Sequence, residues 1–188
     1  MLMCIGAKGW EHEQWQGSFY EDGLPDDWHL TFYAKRYHTV LAPYEFWTTC
    51  EAEQVEEFCT DVEGDYPIFF EVKSGDTDGK VQALRKNVGT AIKNTVCFAS
   101  DNWEKETSLY SLREGEIVQS ANLPDGNIGV FLLTSDELLK DVFLREIMSS
   151  LKNDFAHYDV IYLFFDGQLV NIDIISTGYT LLRMLSLQ

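Results

Sequence analysis

Short unbroken apolar runs alternate along this chain with stretches whose apolar positions recur every three or four residues. Leu2 to Ile5 is such a run and predicts a buried strand, with Gly6 to Gly9 as its exit turn. Trp10 to Tyr20 carries aromatics broken by glycine, a pattern too irregular for a long helix. Asp26 or Asp27 then caps a predicted helix with Leu30, Tyr33, Ala34 and Tyr37 on one face, and Thr39 to Ala42 is the next strand. Thr48-x-x-Glu51 reads as a capping box that opens a helix with Val55, Phe58 and Cys59 inward; the strand Ile68 to Lys73 follows Pro67. Strand, loop, helix, strand, helix, strand is the cadence of a parallel sheet wrapped by helices.

The second half continues this cadence with less regularity. Val81, Leu84, Val88 and Ile92 have helical spacing, while Thr95 to Ala99, Leu109 to Leu112 and Gly129 to Leu133 are strand candidates. Glu114 to Asn127, rich in Gly, Pro, Asn and Ser, is expected to be a long loop. Thr134-x-x-Glu137 is a second capping box, before an amphipathic helix with Leu138, Leu139, Val142, Phe143, Ile147 and Leu151 inward. Val160 to Phe165 is apolar throughout, as a strand covered on both faces is. Beyond it, Asp166-Gly167 and the alternating Val170 to Ile174 give a hairpin signal by local rules. We nevertheless expect a helix from about Thr177 through Leu185.

Composition narrows the class. With 188 residues, 45% hydrophobic and 14% aromatic, the chain is long enough for one substantial core, so residues 1–188 are expected to form a single domain. No run approaches a membrane span and the N-terminus shows no basic region or cleavage site, which predicts a cytoplasmic protein with no membrane partner. Cys4, Cys50, Cys59 and Cys97 form no CxxC pair and read as reduced, packed thiols. The net charge of −17, from 31 acids against 14 bases, argues against nucleic acid as a partner, because such binding draws its affinity from clustered Lys and Arg.

One ordered set of residues is more specific than any of this: Ile5-Gly6-x-x-Gly9-Trp10, Trp15-x-Gly17-x-Phe19-Tyr20, Gly23-Leu24-Pro25, Trp28, Tyr33-Ala34 and Thr39-Val40. It resembles the N-terminal signature of the domain of unknown function 72 (YecE-like) family, and runs on through Phe46-Trp47 and the Pro67 to Lys73 segment. The resemblance implies a β/α barrel whose activity is not established. A closed barrel of this kind takes ~250 residues, so the expected fold is α/β, a shortened or incomplete TIM-like barrel with a mainly parallel sheet. The family's strand-end Glu and Asn are replaced by Leu41 and Pro43, its Thr-His pair by Ser74-Gly75, and its Phe-Asn-Asn by Phe164-Phe165-Asp166. These departures imply an altered site.

In such folds the working groups stand at the C-terminal ends of strands. That rule selects Lys8, Glu45, Lys73, Asp101 and Arg113 as candidate catalytic residues, with Trp10, Trp15, Tyr20 and Tyr44 around a bound ligand. Cations and carboxylates converging on a cleft suit a small anionic or polyhydroxylated molecule and proton exchange with it. The leading expectation is therefore a small-molecule-binding or hydrolase-type barrel remnant.

Two other classes compete with it. A non-catalytic interaction protein, a homodimer joined along sheet edges that the missing units leave open, follows from the short length. A metal-dependent nuclease follows from Asp65, Glu71 and Lys73 with Gln82 on the next helix, since acids two residues before a strand lysine hold Mg²⁺ in that class. An isolated E-x-K is weak, and alternate faces of an ordinary strand explain it as well. His12, between Glu11 and Glu13, lacks further ligands at metal-binding spacing, and no Walker, G-x-G-x-x-G or G-x-S-x-G motif occurs, so neither metal nor cofactor is expected.

Overall fold

The computed structural model describes residues 1–62, 66–72, 94–96, 116–122, 127–135, 138 and 140–185. The chain divides into two compact units, one made of Met1–Ala7 and Thr107–Gln188, the other of Lys8–Glu106. Parallel strand pairs occur in both. The fold is α/β, of the shortened β/α-barrel kind, and among the described strand pairs of the two units one is antiparallel.

In the first unit, strand β1 (Leu2–Lys8) pairs in parallel with a later strand (Val160–Gly167), in a register that sets Leu2 beside Val160 and Ala7 beside Phe165. The other edge of Val160–Gly167 pairs in parallel with Ile128–Ser135, and the helix Asp141–Asp154 connects these two strands. Ile5, Val130, Leu133, Ile161, Leu163, Phe164 and Phe165 are all buried, which is why the central strands read as unbroken apolar runs. The C-terminal helix Ile172–Met184 covers the sheet at close range. A Cβ placed on its Gly178 would lie 3.0 Å from Ile5 Cδ1, and Tyr179 Oη donates to the Ile5 carbonyl at 2.8 Å.

In the second unit, β2 (Val40–Ala42) pairs in parallel with β3 (Ile68–Glu71), and β3 with β4 (Asn94–Val96). Among the described residues the remaining strands are then β5 (Glu116–Asn122), β6 (Ile128–Ser135) and β7 (Val160–Gly167), and the α-helices, in chain order, are α1 (His29–Ala34), α2 (Tyr44–Trp47), α3 (Ala52–Asp61), α4 (Asp141–Asp154) and α5 (Ile172–Met184). Ahead of α1, the aromatic loop folds into a core of its own. Trp15 is 1% exposed and stacks on Tyr33 at 5.7 Å and 6°, with Phe19 and Tyr20 against its edges. Tyr33 Oη in turn donates to the Thr39 carbonyl at 3.2 Å and ties this core to the start of β2.

Several elements differ from the sequence pattern, each for a local reason. Within the expected loop of residues 114–127, Glu116–Asn122 is strand β5, antiparallel to β6 from Glu116↔Ser135 to Asn122↔Gly129. Pairing with an available β6 edge overrides the weak strand propensity of Ser120-Ala121-Asn122. Thr48 does not open α3; its hydroxyl donates back to the Tyr44 carbonyl at 2.6 Å, and Glu51 is the N-cap, its N–H donating to Gln54 Oε1 at 2.9 Å. Thr134 lies inside β6, and α4 begins later with Lys140 as N-cap. Leu138 and Val142 are consequently exposed, and the buried face of α4 is Leu144, Ile147, Met148 and Leu151.

The hairpin signal near the C-terminus also gives way. Gly167 takes φ +65° and Gln168 N–H donates to the Ser135 carbonyl, so the chain turns out of β7 without returning as a strand. Asn171 Oδ1 then accepts from Asp173 N–H at 2.8 Å and starts α5 at Ile172, five residues ahead of the expected Thr177. The helix proposed over Val81 to Ile92 and the strand at Leu109 to Leu112 fall outside the described residues.

Candidate functional site

Lys8 ends β1, Pro43 directly follows β2 and Glu71 ends β3, so three successive strands of the sequence deliver their C-terminal ends to the second unit's site. After Lys8 the chain must turn sharply. Gly9 does so at φ +82°, a conformation that side chains rarely adopt, and its N–H donates to the Leu41 carbonyl at 2.8 Å. The turn leaves Trp10, Glu11 and His12 facing Pro43 and Phe46 across a pocket of about 170 Å³, with Lys8 and Gly9 completing its lining.

The charged groups at this pocket are tied together. Lys8 Nζ lies 2.9 Å from Glu71 Oε1, and both side chains keep partial access to solvent. The second oxygen of Glu71 accepts from Tyr44 N–H at 3.0 Å, and the Glu71 carbonyl accepts from Trp47 Nε1 at 2.7 Å. One carboxylate therefore links the end of β3 to Lys8 and to the first turn of α2. His12 Nε2 is 3.0 Å from the Lys8 carbonyl, and the ring leans on Trp15 at 4.5 Å. Burial raises the Glu11 carboxyl above the ordinary carboxylate range; His29 opposes that shift and Asp26 adds to it.

The aromatic wall is held from behind. Trp10 meets Phe46 edge-on at 4.8 Å and Phe58 at 5.7 Å, and Tyr20 Oη donates to the Trp10 carbonyl at 2.6 Å. Burial pushes the Tyr20 hydroxyl upward, so it stays a donor at neutral pH. His29 is buried and stacks on Tyr20 at 4.1 Å, while its Nε2 stands 3.9 Å from Asp26 Oδ1.

Of the residues selected from sequence, Lys8 and Trp10 line the pocket. Trp15 and Tyr20 are buried behind it, in packing roles. Tyr44 contributes its backbone N–H to Glu71, and Glu45 is exposed on α2 and does not line the pocket. Lys73, Asp101 and Arg113 fall outside the described residues, as does Asp65 of the nuclease set. No group of three or more metal-capable His, Cys, Asp or Glu residues occurs among the described residues.

The sequence pattern carries the strand on to Lys73, whereas β3 ends at Glu71, so the strand-end rule passes over Glu71. Glu11 carried no signal beyond adjacency to Trp10, while Phe46 stood only within the family signature and Pro43 only as a departure from it. The anionic ligand expected from sequence also loses part of its basis, because Lys8 already has a carboxylate partner.

Parallel strands, connecting helices and a pocket at the strand ends together define a β/α-barrel type of protein. The chain belongs to the family described as "Protein of unknown function DUF72", whose model matches residues 4–99. The crystal structure of a DUF72 family protein from Thermotoga maritima is similar to it in fold, with a TM-score of 0.60 and 12% sequence identity, over 99% of this chain and 100% of that one. No curated protein matches the chain. Among the described residues no helix is long and apolar enough to cross a membrane.

Proposed function

We propose that this protein binds a small molecule in the strand-end pocket between the Lys8-Gly9-Trp10 turn and the Pro43 to Phe46 segment. The observation that carries this reading is the position of the Lys8–Glu71 pair: a desolvated but still accessible ion pair at the C-terminal ends of β1 and β3, where β/α folds place their ligands. At about 170 Å³ the pocket compares with the ~150 Å³ cavity that holds a benzene ring, so its ligand has few heavy atoms.

The test is a ligand-observed NMR screen of small polar fragments against the native protein and a Phe46→Trp variant, whose larger ring fills the pocket. Fragments that bind the native chain and lose binding in the variant support the reading. Fragments that bind both equally would place the ligand elsewhere.

A further inference from the structure

We propose that the pocket selects a small organic cation, an amine or a quaternary ammonium, and this inference rests on the binding reading given above. The charges at the pocket decide it. Among the described residues, Lys8 is the one lysine or arginine in the lining, and it is already matched by Glu71 at 2.9 Å. An incoming anion would have to compete with that carboxylate for the ammonium, at close range to a second acid. Glu11 lines the same pocket, and among the described residues it makes neither an ion pair nor a hydrogen bond. Among the described residues, the lining together with Glu71 thus carries one surplus negative charge with His12 counted as neutral.

Three further features point the same way. Trp10 and Phe46 supply aromatic surface beside Glu11, and ring quadrupoles attract cations. Burial already penalises the charged form of Glu11, and a bound ammonium removes that penalty where an anion would increase it. The chain's net charge of −17 favours the approach of cations over that of anions.

The probes are choline, its neutral isostere 3,3-dimethylbutan-1-ol, and inorganic phosphate, titrated into the native protein and into Glu11→Gln and Glu11→Asp. Affinity is read by calorimetry and location by the Trp10 indole N–H signal. Glu11 is an exposed residue whose carboxyl is only partly desolvated, so both variants should retain the native fold, which circular dichroism checks. We expect choline to shift Trp10 saturably, the alcohol to bind about tenfold more weakly or less, and Glu11→Gln to weaken choline by about tenfold with partial recovery in Glu11→Asp. If the alcohol or phosphate moved Trp10 as strongly as choline, or Glu11→Gln left choline affinity unchanged, the cation assignment would be wrong while the site stood. If no probe moved Trp10, the cation assignment would be rejected, and the fragment screen with Phe46→Trp would decide whether the site stands.

Discussion

Glu71 and Lys8, 63 positions apart in sequence, meet at 2.9 Å, and the same carboxylate accepts the backbone N–H of Tyr44. Removing it takes a charged partner from Lys8 and an acceptor from the Tyr44 backbone N–H. Glu71→Ala is therefore expected to cost ~2 to 3 kcal/mol, between the values typical of exposed and of fully buried pairs. A double-mutant cycle with Lys8→Ala by urea denaturation checks it. Strict additivity of the two losses would show that the contact contributes nothing.

Trp15 and Trp28 give a contrast within one loop. Trp15 is 1% exposed and stacked on Tyr33, whereas Trp28 is 63% exposed. Trp15→Ala should cost ~3 to 5 kcal/mol through the cavity it leaves, and Trp28→Ala should stay within ~0.5 kcal/mol. Thermal melts of the two variants distinguish them, and equal losses would contradict the aromatic core described for this loop.

Gly167 ends β7 at φ +65°, and a Cβ there would sit 2.5 Å from the Ser135 carbonyl oxygen. Backbone cannot yield as a flexible side chain does. Gly167→Ala is expected to destabilise by more than ~1 kcal/mol, combining the conformational penalty with the clash. A neutral result in denaturant melts would mean that the β7–α5 turn is held differently.

Glu11 makes stability depend on pH in a defined direction. Its folded pKa is raised, so the folded state holds the proton more tightly than the unfolded chain. Glu11 therefore favours folding below its unfolded pKa, and that contribution is lost as pH rises through the raised folded value. Glu11→Gln should accordingly gain stability relative to the native chain above that window, with the difference fading as the pH falls below it. Paired melts across acid to neutral pH measure this, and a variant that loses ground toward neutral pH would contradict the assigned burial.

How much of this was legible in the sequence depends on where the deciding contact lay. Strands β1, β2, β3 and β7 were legible because burial on both faces leaves unbroken apolar runs such as Val160 to Phe165. The ordered aromatics from Trp10 to Trp28 carried the family. Strand β5 was not legible, because what makes Glu116–Asn122 a strand is the edge of β6, not its own residues. The start of α5 was hidden for a similar reason: Val170 to Ile174 alternates like a strand, and only the Asn171 cap and the buried Ile175, Gly178, Leu181 and Leu182 reveal the helix.

The site was legible in part. Lys8 and Trp10 followed from the rule that working residues stand at strand ends. Glu71 was visible only as part of a nuclease-like spacing, since its link to Lys8 is made across 63 residues of chain. Pro43 and Phe46 line the pocket because β2 stops at Ala42, a boundary that the sequence marks but whose consequence it does not show.

The central claim is that the strand-end pocket is where this protein takes its ligand. Crystals soaked with a cocktail of small polar fragments that includes choline test it most directly. The account expects ordered density between Trp10, Glu11, His12 and Phe46, in van der Waals contact with the indole and beside the Lys8–Glu71 pair. Fragment density recurring at another surface, such as exposed Trp28 or the exposed Leu138 and Val142 around the start of α4, with the pocket empty in every soak, would contradict it.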